Sequence, residues 1–146
     1  MSGPRQIVRL REARLTSAGL ALAAAREETR AAERTRRAAE TQADKARAEL
    51  TDTRDRLSRD LDDAAMLLAL LDRRRFDYAA AHSAMNDAAH AQQECEQIEA
   101  ERRTHLIRAQ ARRDTLVDHV EAIERRNLRR QEEKAELEAY ESRRTA

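Results

Sequence analysis

The sequence predicts an all-α fold in which two long helices form an antiparallel coiled-coil hairpin. Charged residues make up 39% of the 146 residues, and aromatic residues only 2%. Glycine occurs twice and proline once, and no helix breaker follows Gly19. Such a chain cannot fill a thick core, but it can line a narrow seam between two helices, because that seam needs only one apolar stripe per helix.

Disorder is the alternative that the high charge content raises. Disordered chains favour Pro, Ser and Gly and carry unbalanced charge. Here the formal net charge is only +1, and both signs are interleaved along the chain. The charge pattern therefore favours solvated helix faces.

A heptad repeat runs through the first half of the chain. Ser2, Gly3 and Pro4 suit a helix start, because proline fits the first helical turn. From Val8 to Leu71, most positions seven residues apart are apolar, and the row three residues further on holds alanine in five consecutive heptads. A repeat of this length indicates a coiled coil in which the two helices approach closely. The two rows are Val8, Leu15, Leu22, Thr29, Arg36, Ala43, Leu50, Leu57, Ala64 and Leu71, and Ala18, Ala25, Ala32, Ala39 and Ala46.

We predict the hairpin turn at about residues 70–75. Arm one then covers about 4–70 and arm two about 75–143, within a single domain of residues 1–146. The polar run from Asp72 follows the last heptad leucine, and an aspartate can cap the following helix. Residues 51–60, rich in Thr, Asp and Ser, are the rival position, but the heptad continues through them. In arm two the apolar spacing drifts to eleven residues from Cys95 to Ala139, which predicts a straighter far half.

The sequence favours neither an enzyme nor a cofactor or metal site. No two of the four histidines have the i, i+4 spacing of paired metal ligands, and the single Cys95 excludes an internal disulfide. No glycine-rich phosphate loop is present. Basic residues are balanced by nearby acids without interleaved aromatics, which argues against nucleic-acid binding.

Membrane insertion is also disfavoured. The longest apolar run, residues 64–71, is far shorter than a bilayer span. The first ten residues have no apolar core of the kind found in secretory signals. We expect a soluble, cytoplasmic protein that does not insert directly into a membrane.

Two segments are candidate partner-binding sites. The first is an apolar tip, where a run of consecutive large side chains exceeds what one narrow seam can bury, and exposed apolar patches commonly mark contact sites. The alternative is that these side chains pack over the turn and close the end of the hairpin. The second is a basic segment at the start of arm one, beside the end of arm two, for which an ordinary solvated helix face is the alternative. The tip residues are Met66, Leu67, Leu70, Leu71, Phe76, Tyr78 and Met85, and the basic residues are Arg5, Arg9, Arg11 and Arg14.

The chain resembles the central stalk proteins of type III secretion, namely FliJ in flagellar export and SctO (YscO-type) in injectisomes. The resemblance covers nearly the whole chain. It rests on length, the lone two-helix hairpin, the opening segment 7–14, the alanine-rich first arm and the Phe76–Tyr78 pair after the predicted turn.

The resemblance implies a function. Stalk proteins of this family are similar to the γ subunit of rotary ATPases: the end with both termini enters a hexameric export ATPase, and the chain reaches toward a membrane export gate. Some also bind secretion chaperones. For this chain, the resemblance implies a monomer attached to the inner face of a secretion apparatus, with the Phe76 end toward the gate. The alternative is a generic coiled-coil scaffold or self-assembling structural protein without an ATPase partner.

Overall fold

The chain folds into two long helices. The computed structural model describes residues 3–146. Helix α1 covers Gly3–Arg59 and helix α2 covers Ala64–Thr145. The two helices pack against each other as an all-α helical hairpin, so the predicted fold class is confirmed. The predicted start of α1 at Gly3 and Pro4 agrees with the structure, whereas Ser2 lies outside the described residues.

The chain divides into two compact units. In the terminal unit, the start of α1 up to Ala21 packs with α2 from Arg103 onward, and residues 22–102 form the turn unit. Two contacts between helices fix the pairing within the turn unit: Arg26 lies 3.7 Å from Glu99, and Arg74 lies 2.8 Å from Glu49. The partner number falls as the α1 number rises, which makes the helices antiparallel.

The predicted heptad rows of α1 form the seam. Positions seven residues apart from Val8 to Leu57 are all buried or half-buried, as is the alanine row from Ala18 to Ala46. Because small residues fill one row, little apolar area is buried per residue, and the seam stabilises the hairpin through its length.

In α2 the seam also follows a seven-residue repeat, so the predicted eleven-residue spacing is wrong. Leu128 and Ala139, two members of that spacing, are exposed. Polar residues with long aliphatic stems occupy several heptad positions and hide the repeat in the sequence. Their stems pack in the seam, while their polar ends contact neighbouring charged side chains, as Gln92 does with Glu96 and Arg113 with Asp114. The heptad row is Ala64, Leu71, Tyr78, Met85, Gln92, Glu99, Leu106, Arg113 and Val120, all buried or half-buried.

The turn lies at residues 60–63, and the predicted position at about 70–75 is wrong because those residues are helical. The Asp60 amide closes α1 by donating to the Arg56 carbonyl at 2.9 Å. The Asp62 amide donates to the Asp60 side chain at 3.2 Å, a local bond that favours a turn over a helix. The Asp63 carbonyl then accepts the Leu67 amide at 2.9 Å, which begins α2.

The heptad could not locate the turn because its phase is the same on both sides. Leu57 before the turn and Ala64 after it are seven residues apart, and both face the seam. Asp60, which the repeat would place in the seam, instead lies in the turn and is exposed. The position of the turn was instead indicated by the Thr, Asp and Ser residues of segment 51–60, the rival position, and by the aspartates that follow it.

We expect Ala25→Leu to destabilise the hairpin by about 1–3 kcal/mol, because a larger side chain overpacks a tight seam. Ala25 is buried, whereas its neighbour Ala24 is exposed on the same helix. Ala24→Leu is therefore the matched control and should change the stability by less than about 0.5 kcal/mol. Urea unfolding followed by circular dichroism measures both, and equal effects would show that the alanine row does not set the helix spacing.

Candidate partner-binding surfaces

The predicted basic segment lies in the terminal unit and is split between two sides of α1. Arg5 and Arg9 are four residues apart, and Arg11 and Arg14 are three apart, so each pair shares a face. At 100° per residue, however, the two pairs point in different directions. The structure therefore keeps the four arginines on one helix without gathering them into one cluster.

The surroundings of these arginines differ. The Arg5 guanidinium donates to Glu124 at 2.9 Å, and both side chains are largely exposed, so the pair contributes little stability. Arg11 is half-buried and lines a groove with Ile7, Leu116 and His119. Since neither Arg9 nor Arg14 forms an ion pair within residues 3–146 and both are exposed, these two are the freest to meet an acidic partner.

A helical extension of α2 is the most prominent feature of the terminal unit. Because Arg5 pairs with Glu124, α2 passes the first residues of α1 at about this level. Every residue from 124 to 145 is exposed, although the segment is helical throughout. The extension is about 30 Å long at 1.5 Å per residue. Equal arms were predicted because the turn was placed too late, so the sequence analysis missed this extension.

The extension carries three exposed large apolar side chains, Leu128, Leu137 and Tyr140. Leu137 and Tyr140 share a shallow groove with Glu133 and Glu136. A helix that is solvated all round needs many favourable i, i+4 charge pairs to be stable alone. Here only Lys134 and Glu138 approach, at 3.9 Å, among the ion pairs described in this segment.

Charges on the extension are segregated. Four arginines occupy residues 125–130, and five glutamates with one lysine occupy residues 132–141. Several i, i+4 neighbours therefore carry the same sign, such as Arg125 with Arg129 and Glu132 with Glu136, and such pairs destabilise an isolated helix. Segregated charges that weaken the helix by itself are suited to pairing with an oppositely charged neighbour.

The predicted apolar tip lies in the turn unit, and some of its residues are buried in the seam whereas others are exposed. Leu67, with 1% of its surface exposed, and Leu71 are core residues, so their assignment to a contact surface is wrong. Leu70, Tyr78 and Met85 are half-buried, and Tyr78 and Met85 lie on the heptad row of the seam. The helical period turns consecutive apolar residues to different sides, which is why one run contributes to both core and surface.

Met66 and Phe76 remain as exposed tip residues, and Phe76 exposes 73% of its surface. Leu61 in the turn and Leu68 are also exposed, although neither was among the predicted residues. Aromatic and methionine side chains are enriched at protein interfaces. We call the four exposed residues Leu61, Met66, Leu68 and Phe76 the tip patch.

Other exposed large apolar residues occur singly along α2, for example Ile98 and Ile107, and single ones are normal on protein surfaces. Within residues 3–146, no group of three or more His, Cys, Asp or Glu side chains is placed to hold a metal ion. Neither helix has a window apolar enough to cross a bilayer, over the same described range.

Comparison with known proteins identifies no relative: no family model, curated protein or solved structure matches the sequence.

We expect Leu67→Ala to destabilise the fold by about 2–5 kcal/mol, because it removes a fully buried leucine from the seam. Phe76→Ala, on the same helix but exposed, should change the stability by less than about 0.5 kcal/mol. Urea unfolding of both variants measures the difference. A large loss for Phe76→Ala would mean that Phe76 is a core residue and that the tip patch is not available to a partner.

Proposed function

We propose that this chain is a stalk protein of a type III secretion apparatus, linking a hexameric export ATPase to a membrane export gate. The observation that carries the proposal is the exposed helical extension of α2 over residues 124–145. A helical hairpin that ends in a single exposed helix suits insertion into a narrow ring opening. The resemblance of the sequence to type III secretion stalk proteins is the reason for proposing a hexameric export ATPase as this ring.

The terminal unit is the proposed ATPase-binding surface. Leu128, Leu137 and Tyr140 stay exposed there, and large apolar side chains are good anchors for a partner. The segregated charges of residues 125–141 complement a ring lined with both signs of charge. Arg9 and Arg14 add positive charge on α1.

The tip patch is the proposed gate-binding surface. It lies in the turn unit, on residues that the seam does not use, so it can bind a partner while the hairpin stays closed. Phe76 and Met66 are the strongest anchors, because large flexible or aromatic side chains bury much area at an interface. A protein with two such separate surfaces can hold two partners at once.

Reciprocal variants test the stalk proposal. Leu128→Asp should weaken binding to the export ATPase encoded in the same genome roughly tenfold or more, because it places an unpaired charge in a desolvated contact. Phe76→Ser should leave that binding unchanged and reduce secretion in a complementation assay. Each variant is the control for the other, and circular dichroism checks that both are helical.

The reverse pattern, with ATPase binding sensitive to Phe76 and insensitive to Leu128, would overturn the assignment of the two surfaces. No binding of the wild-type chain to the ATPase, together with normal secretion in its absence, would exclude the stalk function and leave a scaffold without an ATPase partner.

A further inference from the structure

The outer face of α1 in the terminal unit carries a second heptad stripe. Leu10, Ala13, Ser17 and Leu20 are spaced three, four and three residues apart, and all four are exposed. They lie on the side of α1 away from seam residues such as Ala18. This spacing is that of a coiled-coil seam, yet nothing within residues 3–146 covers it. The stripe is therefore a surface shaped for another helix.

The extension of α2 carries a stripe of the same kind. Glu133, Leu137, Tyr140 and Arg144 are spaced four, three and four residues apart and are exposed. Leu137 and Tyr140 expose 63% and 66% of their surfaces. The side chains of the two stripes are compatible in size, because Leu137 can pack against Leu10 and Tyr140 can occupy the space beside the small Ala13.

The charges of the two segments match in spacing and are opposite in sign. The basic residues Arg5, Arg9, Arg11 and Arg14 are separated by four, two and three residues. Glutamates of the extension are separated by the same intervals, at Glu132, Glu136, Glu138 and Glu141. The same alignment matches Leu10 with Leu137 and Ala13 with Tyr140. Of the four arginines, Arg9 and Arg14 flank the stripe, whereas Arg5 pairs with Glu124 and Arg11 is half-buried.

We propose that the start of α1 in one copy of this chain pairs, in parallel, with the α2 extension of a second copy. Leu10 then faces Leu137 of the second copy, and Ala13 faces Tyr140 of the second copy. In a parallel coiled coil, flanking residues pair across the seam with a shift of five residues. This shift pairs Arg9 with Glu141 of the second copy and Arg14 with Glu136 of the second copy.

The same chain cannot make this contact. Within one copy, Arg5 already pairs with Glu124, at the level where α2 passes the start of α1. Residues 132–141 lie beyond that level, and Glu141 is about 25 Å further along a helix that shows no break. The complementary segment must therefore come from another molecule.

Two-fold symmetry gives the dimer two identical contacts. Each copy offers one basic segment and one extension, so an isologous pair satisfies both at once and does not grow further. Each contact is short, and only two contacts contribute, so we expect a dimer that is held largely by charge and weakens as salt is added. This inference stands independently of the stalk proposal, but the dimer would occupy the surface that the ATPase is proposed to bind.

Charge reversal tests the dimer. At low ionic strength, analytical ultracentrifugation of the wild type should show a concentration-dependent dimer. Arg9→Glu with Arg14→Glu, or Glu136→Arg with Glu141→Arg, should weaken dimerisation at least tenfold. Mixing the two double variants should restore a dimer, as should combining all four changes in one chain. Arg34→Glu with Arg56→Glu, at exposed arginines of the turn unit, is the matched control and should leave the dimer intact.

The rescue separates loss of contact from loss of folding, and circular dichroism confirms the helicity of each variant. A wild type that stays monomeric at low ionic strength overturns the dimer, as does a dimer that is indifferent to the reversals or not restored by the swap. ATPase binding is measured separately with the wild type, because the four changes alter charges of the proposed ATPase-binding surface. Dimerisation without ATPase binding counts against the stalk alone, and binding by a strict monomer counts against the dimer alone.

A cysteine pair tests the register. In a Cys95→Ser background, Leu10→Cys with Leu137→Cys should form a disulfide between copies under mild oxidation, because facing seam positions meet the distance that a disulfide requires. Leu20→Cys with Leu137→Cys places the thiols about 15 Å apart along the helix axis and should not cross-link. Equal cross-linking of both pairs would overturn the proposed register.

Discussion

The structure depends on one narrow seam. In α1 this seam is formed by a heptad row of mostly apolar residues that starts at Val8 and by the neighbouring alanine row that starts at Ala18. The chain has almost no aromatic residues and cannot build a thick core, so close approach of two helices is its means of burying apolar surface. Ala18, Ala25 and Ala43 are buried in this seam, where small side chains allow the two backbones to approach closely. Stability is thus spread thinly over many heptads, and most other side chains remain free for solvent or partners.

Polar residues within the seam reduce the apolar area that is buried, but some of them favour one alignment of the two helices. Arg36 occupies a heptad position and its guanidinium bonds Glu40 at 2.6 Å, while Thr53 is buried and its hydroxyl donates to the Glu49 carbonyl at 2.9 Å. Both of these bonds lie within α1, so they satisfy the polar groups in any alignment of the two helices. The register is instead favoured by the contacts between the helices, of Arg74 with Glu49 and of Arg26 with Glu99, which a slipped alignment would break.

Periodicity made the fold class and the seam of α1 predictable, since both follow from where apolar residues recur. The turn was not predictable in this way, because Leu57 and Ala64 keep the same phase across it. The seam of α2 was hidden because Gln92, Glu99 and Arg113 occupy heptad positions through their stems. Exposure at the tip depends on which helix face each residue occupies. Leu67 could therefore be recognised as buried, and Phe76 as exposed, only once the face of α2 that packs against α1 was known.

The heptad phase that Leu57 and Ala64 share across the turn also affects whether two chains can exchange helices. If the turn became helical, both arms would present one continuous stripe, and two opened chains could pair antiparallel as a domain-swapped dimer that buries the same residues. The apolar pattern does not oppose that exchange. Asp60, Asp62 and Asp63 do, because aspartate has a low helix propensity and bonds the local backbone in turns. These three exposed residues, which contribute nothing to the core, therefore favour the closed hairpin over its swapped counterpart.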